Sequence, residues 1–142
     1  MYEGGVRVPF LMQWPGKVPK GTTYDRPVIT TDLFATTFAA AGKEMPKGPK
    51  RDSVNLLPFV KGEKAGDPHE RIYWRQAERR GLRQGDWKIV KRGGKAMWEL
   101  FDLAKDLSEE KDLAKEKPEV LQELIGEWEK LDGEMVEAAF RQ

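Results

Sequence analysis

The sequence predicts an α+β fold: one strand and one helix, then a small four-stranded antiparallel sheet packed by a long C-terminal helix. Three observations carry this. Four short strand-like runs between Ile72 and Leu103 are separated by tight-turn signals. Apolar residues from Leu121 to Met135 recur at steps of three and four. A mostly apolar run, Val6 to Trp14, is bounded by Gly-Gly and Pro-Gly. The 142 residues suffice for one ordinary domain or two small subdomains.

Taken in order, VRVPFLMQW at Val6 to Trp14 reads as a buried strand, with Pro9 demanding an edge or a kink because it lacks a ladder donor. PGKVPKGTTYDRP is a turn-rich loop. A short helix follows, with Thr31 as N-cap, Asp32 in the first turn, a face of Leu33, Phe34, Thr37, Phe38 and Ala41, and Gly42 as its stop. GKEMPKGPKRDSVN is an exposed polar loop, and Leu56, Leu57, Phe59 and Val60 form a small apolar patch. Composition shifts near Asp67-Pro68, which divides the chain into residues 1–67 and 68–142. The strands are expected at Ile72–Gln76, Arg80–Gln84, Trp87–Lys91 and Trp98–Leu103, joined in part by QGDW and RGGK turns, so neighbours are antiparallel. Pro118 suits the first turn of the last helix. Its stripe of Leu121, Leu124, Ile125, Trp128, Leu131 and Met135 is expected to cover one face of the sheet, which would be marginal alone.

Charged residues make up 35% and the hydrophobic class 39%, the profile of a globular chain with a modest core. A formal net charge of +1 argues against a nucleic-acid or anionic-membrane partner. The charge is uneven: nine Lys/Arg against five Asp/Glu from Glu70 to Leu103, then six against twelve from Ala104 to Gln142. There is no cysteine, which excludes disulfides, thiolate nucleophiles and Cys-zinc sites. The one histidine excludes a multi-His metal site. No apolar run reaches membrane-spanning length, and the N-terminus carries no signal-peptide pattern.

Glu3-Gly4-Gly5-x-Arg7 is the most specific motif. Two glycines allow backbone to come close to a neighbour or ligand, while Glu3 and Arg7 pair or face a site; an ordinary Gly turn with a structural ion pair explains the same residues. Asp32 is a candidate acid that helix capping also explains. His69, with Glu70 and Arg71, is the one place for a neutral-pH proton shuttle, in a loop where a lone histidine is ordinarily plain surface. Strand alternation places Tyr73 and Arg75 on one face and Trp74 on the other, as core or as a sugar platform. The run Arg71, Arg75, Arg79, Arg80, Arg83, Lys88, Lys91, Arg92 and Lys95 suits flat oxyanions such as a sulfated glycan, or is a solvated sheet face that limits edge aggregation.

Read together, the pieces resemble one family. YEGGVRVPFLMQWPGKVPKG is similar to the stretch of type I sulfatases (arylsulfatases, related to alkaline phosphatase) that follows their last metal-binding motif. DRPVITTDLFATTFAAAG resembles the family's next helix, and DSVNLLPFVKGE its next loop. RIYWR, GLRQGDWKIVKR and WELFDLAKDLSEEKDLAKEKPEVLQEL resemble its C-terminal subdomain. The five phrases cover essentially the whole chain, in order. The resemblance implies a fragment of an α/β sulfatase fold: residues 1–67 as the end of the catalytic domain and 68–142 as the C-terminal subdomain, with Met1 an internal methionine.

For the intact enzyme the resemblance implies hydrolysis of sulfate esters by a formylglycine and a calcium ion, with a sulfated small molecule or glycan as substrate and the N-terminal catalytic domain as partner. It also makes periplasmic or secreted localisation plausible. None of that machinery carries over. Neither Ser53 nor Ser108 has the Pro and Arg of the C/S-x-P-x-R motif, and the Asp and Asn metal ligands and the sulfate-contacting lysine would lie upstream. No catalytic or metal residue is therefore expected in this chain. What carries over is architecture: Glu3, Gly4, Gly5 and Arg7 as structural support at the active-site rim, with His69 and Arg75 as candidate substrate contacts. The alternatives are a stand-alone module for sulfated or anionic glycans and a non-functional truncated product.

Overall fold

A computed structural model describes residues 1–48 and 51–136. Pro49 and Lys50 of the expected polar loop, and residues 137–142 of the acidic stretch, lie outside the described residues. Packing divides the chain into a sheet unit, formed by Met1–Pro9 with Arg71 onward, and a second unit, Phe10–Glu70. The first nine residues thus group with the sheet, whereas the sequence had joined them to residues 10–67.

The sheet unit contains β1 (Arg71–Gln76), β2 (Arg79–Gln84), β3 (Trp87–Lys91) and β4 (Trp98–Asp102) in sequential antiparallel order. These match the expected strands to within one residue at each end. Gly85 adopts φ +58° in the QGDW turn, and Gly93 and Gly94 adopt +128° and +48° in RGGK, conformations that favour glycine. Ala77 turns the β1–β2 hairpin at φ +50°, which costs a non-glycine residue about 1 kcal/mol.

The register aligns Tyr73, Leu82, Ile89 and Leu100 in one row across all four strands. Helix α4 (Pro118–Glu134) covers that row with Leu124 and Trp128, as its stripe predicts. Trp128 stacks on Tyr73 with ring centroids 5.5 Å apart, meets Trp98 edge-on at 5.7 Å, and donates its indole N–H to the Trp74 carbonyl at 3.3 Å. Pro118 opens the helix as expected, but Met135 falls just beyond it in extended backbone. The opposite sheet face packs Val90, Phe101 and Leu103 against Met1 and Tyr2. Trp74 lies on that face, half-buried, opposite Gly81 in the register. A Cβ on Gly81 would sit 3.4 Å from the Trp74 ring and 3.6 Å from the Met1 sulfur.

The expected strand at Val6–Trp14 does not form. Glu3–Val6 is a single helical turn, α1, and residues 7–14 adopt no strand. Val8 and Leu11 are 72% and 93% exposed. A strand persists when a neighbouring strand pairs with its N–H and C=O groups, and among the described residues no strand pairs with this run; Val6 and Arg7 instead donate to Tyr2 and Glu3 within the helical turn.

In the second unit, α2 (Asp32–Ala40) ends as expected at Gly42, φ +63°; the Lys43 N–H reaches the Phe38 carbonyl at 2.9 Å and the Gly42 N–H reaches that of Ala39 at 3.1 Å. Its start and its buried face differ from expectation. Thr31 makes no side-chain cap. Asp32, Ala35 and Thr36 are buried, while Leu33 and Phe34 are 44% and 42% exposed. The reason is polar: Thr36 Oγ1 accepts the Leu56 N–H at 3.0 Å and Asp32 accepts that of Val54 at 2.8 Å. These bonds bring in the segment that leads to α3 (Leu57–Val60), whose Leu57 and Phe59 are buried beside Leu56.

Candidate functional site

The Glu3-Gly4-Gly5 turn is held by a buried charge cluster. Lys88 lies mid-strand in β3, between Trp87 and Ile89, on the sheet face away from α4. Its side chain is fully buried. The ammonium Nζ lies 2.7 Å from Glu3 Oε1, to which it donates, and 2.9 Å from Glu109 Oε1, and it sits 5.5 Å from the Trp74 ring centroid. The second oxygen of Glu109 accepts the Glu3 backbone N–H. Glu109 reaches this position with φ +57°, in the loop after β4. The guanidinium of Arg7, 53% exposed, approaches Glu3 Oε2 at 3.7 Å, beyond hydrogen-bond distance. Two carboxylates, one ammonium and one guanidinium therefore balance.

Gly4 and Gly5 are exposed, neither has positive φ, and a Cβ on either would meet no atom within 4 Å. Nothing among the described residues requires glycine at these two positions.

His69 lies in the second unit and is not the exposed loop histidine expected from the sequence. Its side chain is 7% exposed, and Nε2 lies 2.8 Å from Asp32 Oδ2. With a carboxylate as acceptor, Nε2 is the nitrogen that donates. Asp32 also accepts the Ile29 N–H at 2.9 Å on Oδ2 and the Val54 N–H on Oδ1. It is a structural hub with its lone pairs engaged, which goes beyond the helix-capping role inferred for it.

Arg75 lies on the α4 side of the sheet. It donates to Asp132 Oδ1 at 2.8 Å and to the Val136 carbonyl at 2.7 Å, tying β1 to the end of α4. Tyr73 donates to the same Asp132 oxygen, and burial followed by that bond raises the phenol well above its ordinary value. Other members of the basic run are also engaged: Arg71 with Glu127, Arg80 over the Trp128 ring at 5.1 Å, and Arg92 with Glu99 at 2.7 Å. The run is thus no single solvated face, and Lys88 lies inside the protein.

The residues do not fit the nucleophile or metal of a sulfatase. The chain has no cysteine to convert to formylglycine. Among the described residues no three His, Asp or Glu side chains gather as a cation site. Lys88 and Arg7 together offset the charges of Glu3 and Glu109, and Asp32 is saturated by N–H donors. What the arrangement can do chemically is hold main chain in place.

Sequence reasoning missed Lys88 and Glu109 as partners of Glu3. The signal for Lys88 was its place in WKIV: alternation sets it beside Val90's face, where the strand has solvent on neither side. Glu109 had no comparable signal, since acidic residues flank it on a polar loop.

The profile of the N-sulphoglucosamine sulphohydrolase C-terminal family matches residues 1–134. An uncharacterized sulfatase of Schizosaccharomyces pombe is 31% identical over 137 residues, covering 89% of this chain and 25% of that protein. An N-acetylgalactosamine-6-O-sulfatase of Bacteroides thetaiotaomicron is 27% identical over 137 residues, covering 87% of this chain and 27% of its own length. The crystal structure of Ps i-CgsB superimposes with a TM-score of 0.69 at 27% identity, over 83% of this chain and 27% of that one. The chain spans about a quarter of the length of each of these three. The sheet, its covering helix and the matched profile agree with one another, and the chain belongs to the C-terminal domain family of the sulfatases.

Proposed function

We propose that this chain forms one side of the substrate cleft of a sulfate-ester hydrolase that acts on sulfated saccharides, and supplies support rather than the reacting groups. The observation that carries this is the clamping of the Glu3-Gly4-Gly5 turn by Lys88 and Glu109 in a chain with no nucleophile motif. Glu3, Gly4, Gly5 and Arg7 order the rim of the site. The nucleophile and a calcium ion belong to an N-terminal catalytic partner. His69, turned onto Asp32, supports the second unit from within, and Arg75 braces α4.

A saccharide is favoured over a steroid because relatives that match across the chain point that way. The N-acetylgalactosamine-6-O-sulfatase matches over 87% of it, and Ps i-CgsB, also solved with a neocarrahexaose, over 83%. The human steryl-sulfatase matches over 51%. Lys88 is fully buried against carboxylates, and Arg71 and Arg75 pair with carboxylates of α4, which weighs against a stand-alone glycan-binding module built on the basic run.

The test is to isolate the protein from its source with an antibody to α4, then measure its intact mass and its hydrolysis of a sulfated N-acetylhexosamine. A species several times longer that releases sulfate supports the proposal. Sustained turnover by the homogeneous 142-residue chain alone, or a native 16.3 kDa species without activity, overturns it.

A further inference from the structure

We propose that Val8–Gln13 is a strand-addition surface: it pairs with an edge strand of the N-terminal catalytic partner, through the edge that carries the N–H groups of Val8, Phe10 and Met12. This rests on the reading of the chain as part of a longer hydrolase and adds to it the segment by which the two parts join.

The main chain of this run is open. Among the described residues, no N–H or C=O of residues 8–13 makes a hydrogen bond; the Trp14 carbonyl, which accepts from Lys17 and Val18 at 3.0 Å, is the first to do so. The chain enters the run already extended, with Arg7 at φ −88° and ψ 94°. The side chains are of the kind that fill sheets: Val8, Phe10, Leu11 and Met12, with no charge among residues 8–13. Val8 and Leu11 are 72% and 93% exposed. Burial alternates further along, with Met12 and Trp14 half-buried and Leu11 and Gln13 exposed. Met12 and Trp14 lie beside Leu33, Ala40 and Leu57, so α2 covers one face of the run and both edges are bare. A strand with a helix against one face is a component of an α/β layer that needs neighbouring strands to complete it.

Pro9 distinguishes the two edges. In a β-strand the N–H and C=O of one residue point to the same edge, and successive residues alternate. Pro9 removes a donor from the edge it shares with Leu11 and Gln13. The edge of Val8, Phe10 and Met12 keeps every donor and acceptor, and pairing falls there. Free edges are ordinarily guarded by charge, proline or a bulge, and here proline guards only one.

The chemistry of the run also selects its occupant. Open main-chain groups flanked by apolar side chains suit another strand. A saccharide would need polar side chains for its hydroxyls, and the run offers only Gln13. The matched profile is that of a C-terminal domain, and the chain covers 25% to 27% of its relatives, so N-terminal polypeptide is the partner at hand, ahead of a second copy.

The test is amide exchange at single-residue resolution in the full-length protein isolated from its source. Exchange at Phe10 and Met12 is expected to be at least about a hundredfold slower than at Leu11 and Gln13. Phe10→Pro should lower the melting temperature and release the protection of Met12. Phe10→Ala, which keeps the N–H, should retain that protection, and Leu11→Pro, on the open edge, should leave it at the parent level. Uniformly fast exchange over residues 8–13, or equal protection at Phe10 and Leu11, overturns the proposal. Alternation that appears in the 142-residue chain only as its concentration rises makes a second copy the occupant and overturns it as well. A full-length protein that shows the alternation but hydrolyses no sulfated N-acetylhexosamine supports the strand and overturns the hydrolase reading instead.

Discussion

In the sheet unit, the row Tyr73, Leu82, Ile89 and Leu100 is covered by Leu124 and Trp128, and the opposite face is closed by Met1 and Tyr2. In the 10–70 unit, the most buried side chain of α2 is a carboxylate, while Leu33 and Phe34 of the same helix face solvent. A shallow apolar groove of about 180 Å³ runs between Met12, Trp14, Leu33, Ala40 and Leu57. The difference lies in what selects the inward face. In α4 the apolar stripe decides, because a sheet face of matching width lies across from it. In α2 hydrogen bonds decide, because Asp32 and Thr36 satisfy the N–H groups of Ile29, Val54 and Leu56, which would otherwise be left without partners.

Removing the centre of either unit should break the comparison most sharply. Asp32→Ala strands two N–H donors and the His69 imidazole and should destabilise the 10–70 unit by about 3–5 kcal/mol. Trp128→Ala should cost the sheet unit about 3–5 kcal/mol through the cavity left against Tyr73 and Trp98. Residue-level amide exchange checks both. Asp32→Ala should expose residues 10–70 and leave β1–β4 protected, and Trp128→Ala should do the reverse. Equal loss across the chain in both variants would show one cooperative structure and remove the contrast.

Acid should separate the units less strongly. The bond from Lys105 holds the Asp102 carboxyl below its usual value, backbone N–H groups of Lys111 and Glu110 do the same for Asp106, and Lys130, then Arg71, for Glu127. All three lie in the sheet unit. A folded-state value below the unfolded one stabilises the protein above the unfolded value, and that stability is lost as pH falls through the folded value. The sheet unit should therefore weaken below about pH 4, with an attenuated slope because the partners are solvated. Tyr73 is raised by burial and by Asp132, so its contribution is present below about pH 10 and lost above it. Burial also raises Tyr24 in the other unit, so alkali should not distinguish the two. A melting temperature tracked by tryptophan fluorescence from pH 7 to 3 measures the acid limb, and a flat profile would contradict it.

The smallest effect is expected at Leu11. It is 93% exposed, so Leu11→Ser should change stability by no more than about 0.5 kcal/mol in urea denaturation. A loss several times larger would show that the run is packed in solution.

Periodicity made the strand limits, the QGDW and RGGK turns, Pro118 and the Leu124–Trp128 stripe legible, because each is a local pattern whose partner is near in sequence. The Glu3-Gly4-Gly5-x-Arg7 motif was legible as a phrase, but its partners were not: Lys88 and Glu109 lie far along the chain, and charge alone marks neither as buried. The basic run showed the same limit, since Arg71, Arg75 and Arg92 meet carboxylates at distant or cross-strand positions.

By itself the sequence determined the sheet with its covering helix, the order of its turns, and the absence of cysteine chemistry, all of which follow from residue types and spacings of a few positions. Only the tertiary structure decided that Val6–Trp14 forms no strand, that α2 turns Asp32 inward, that His69 is paired, and that Lys88 joins Glu3 to Glu109. Those outcomes depend on which groups meet in space: a strand needs a neighbouring ladder, and a buried charge needs an opposite one.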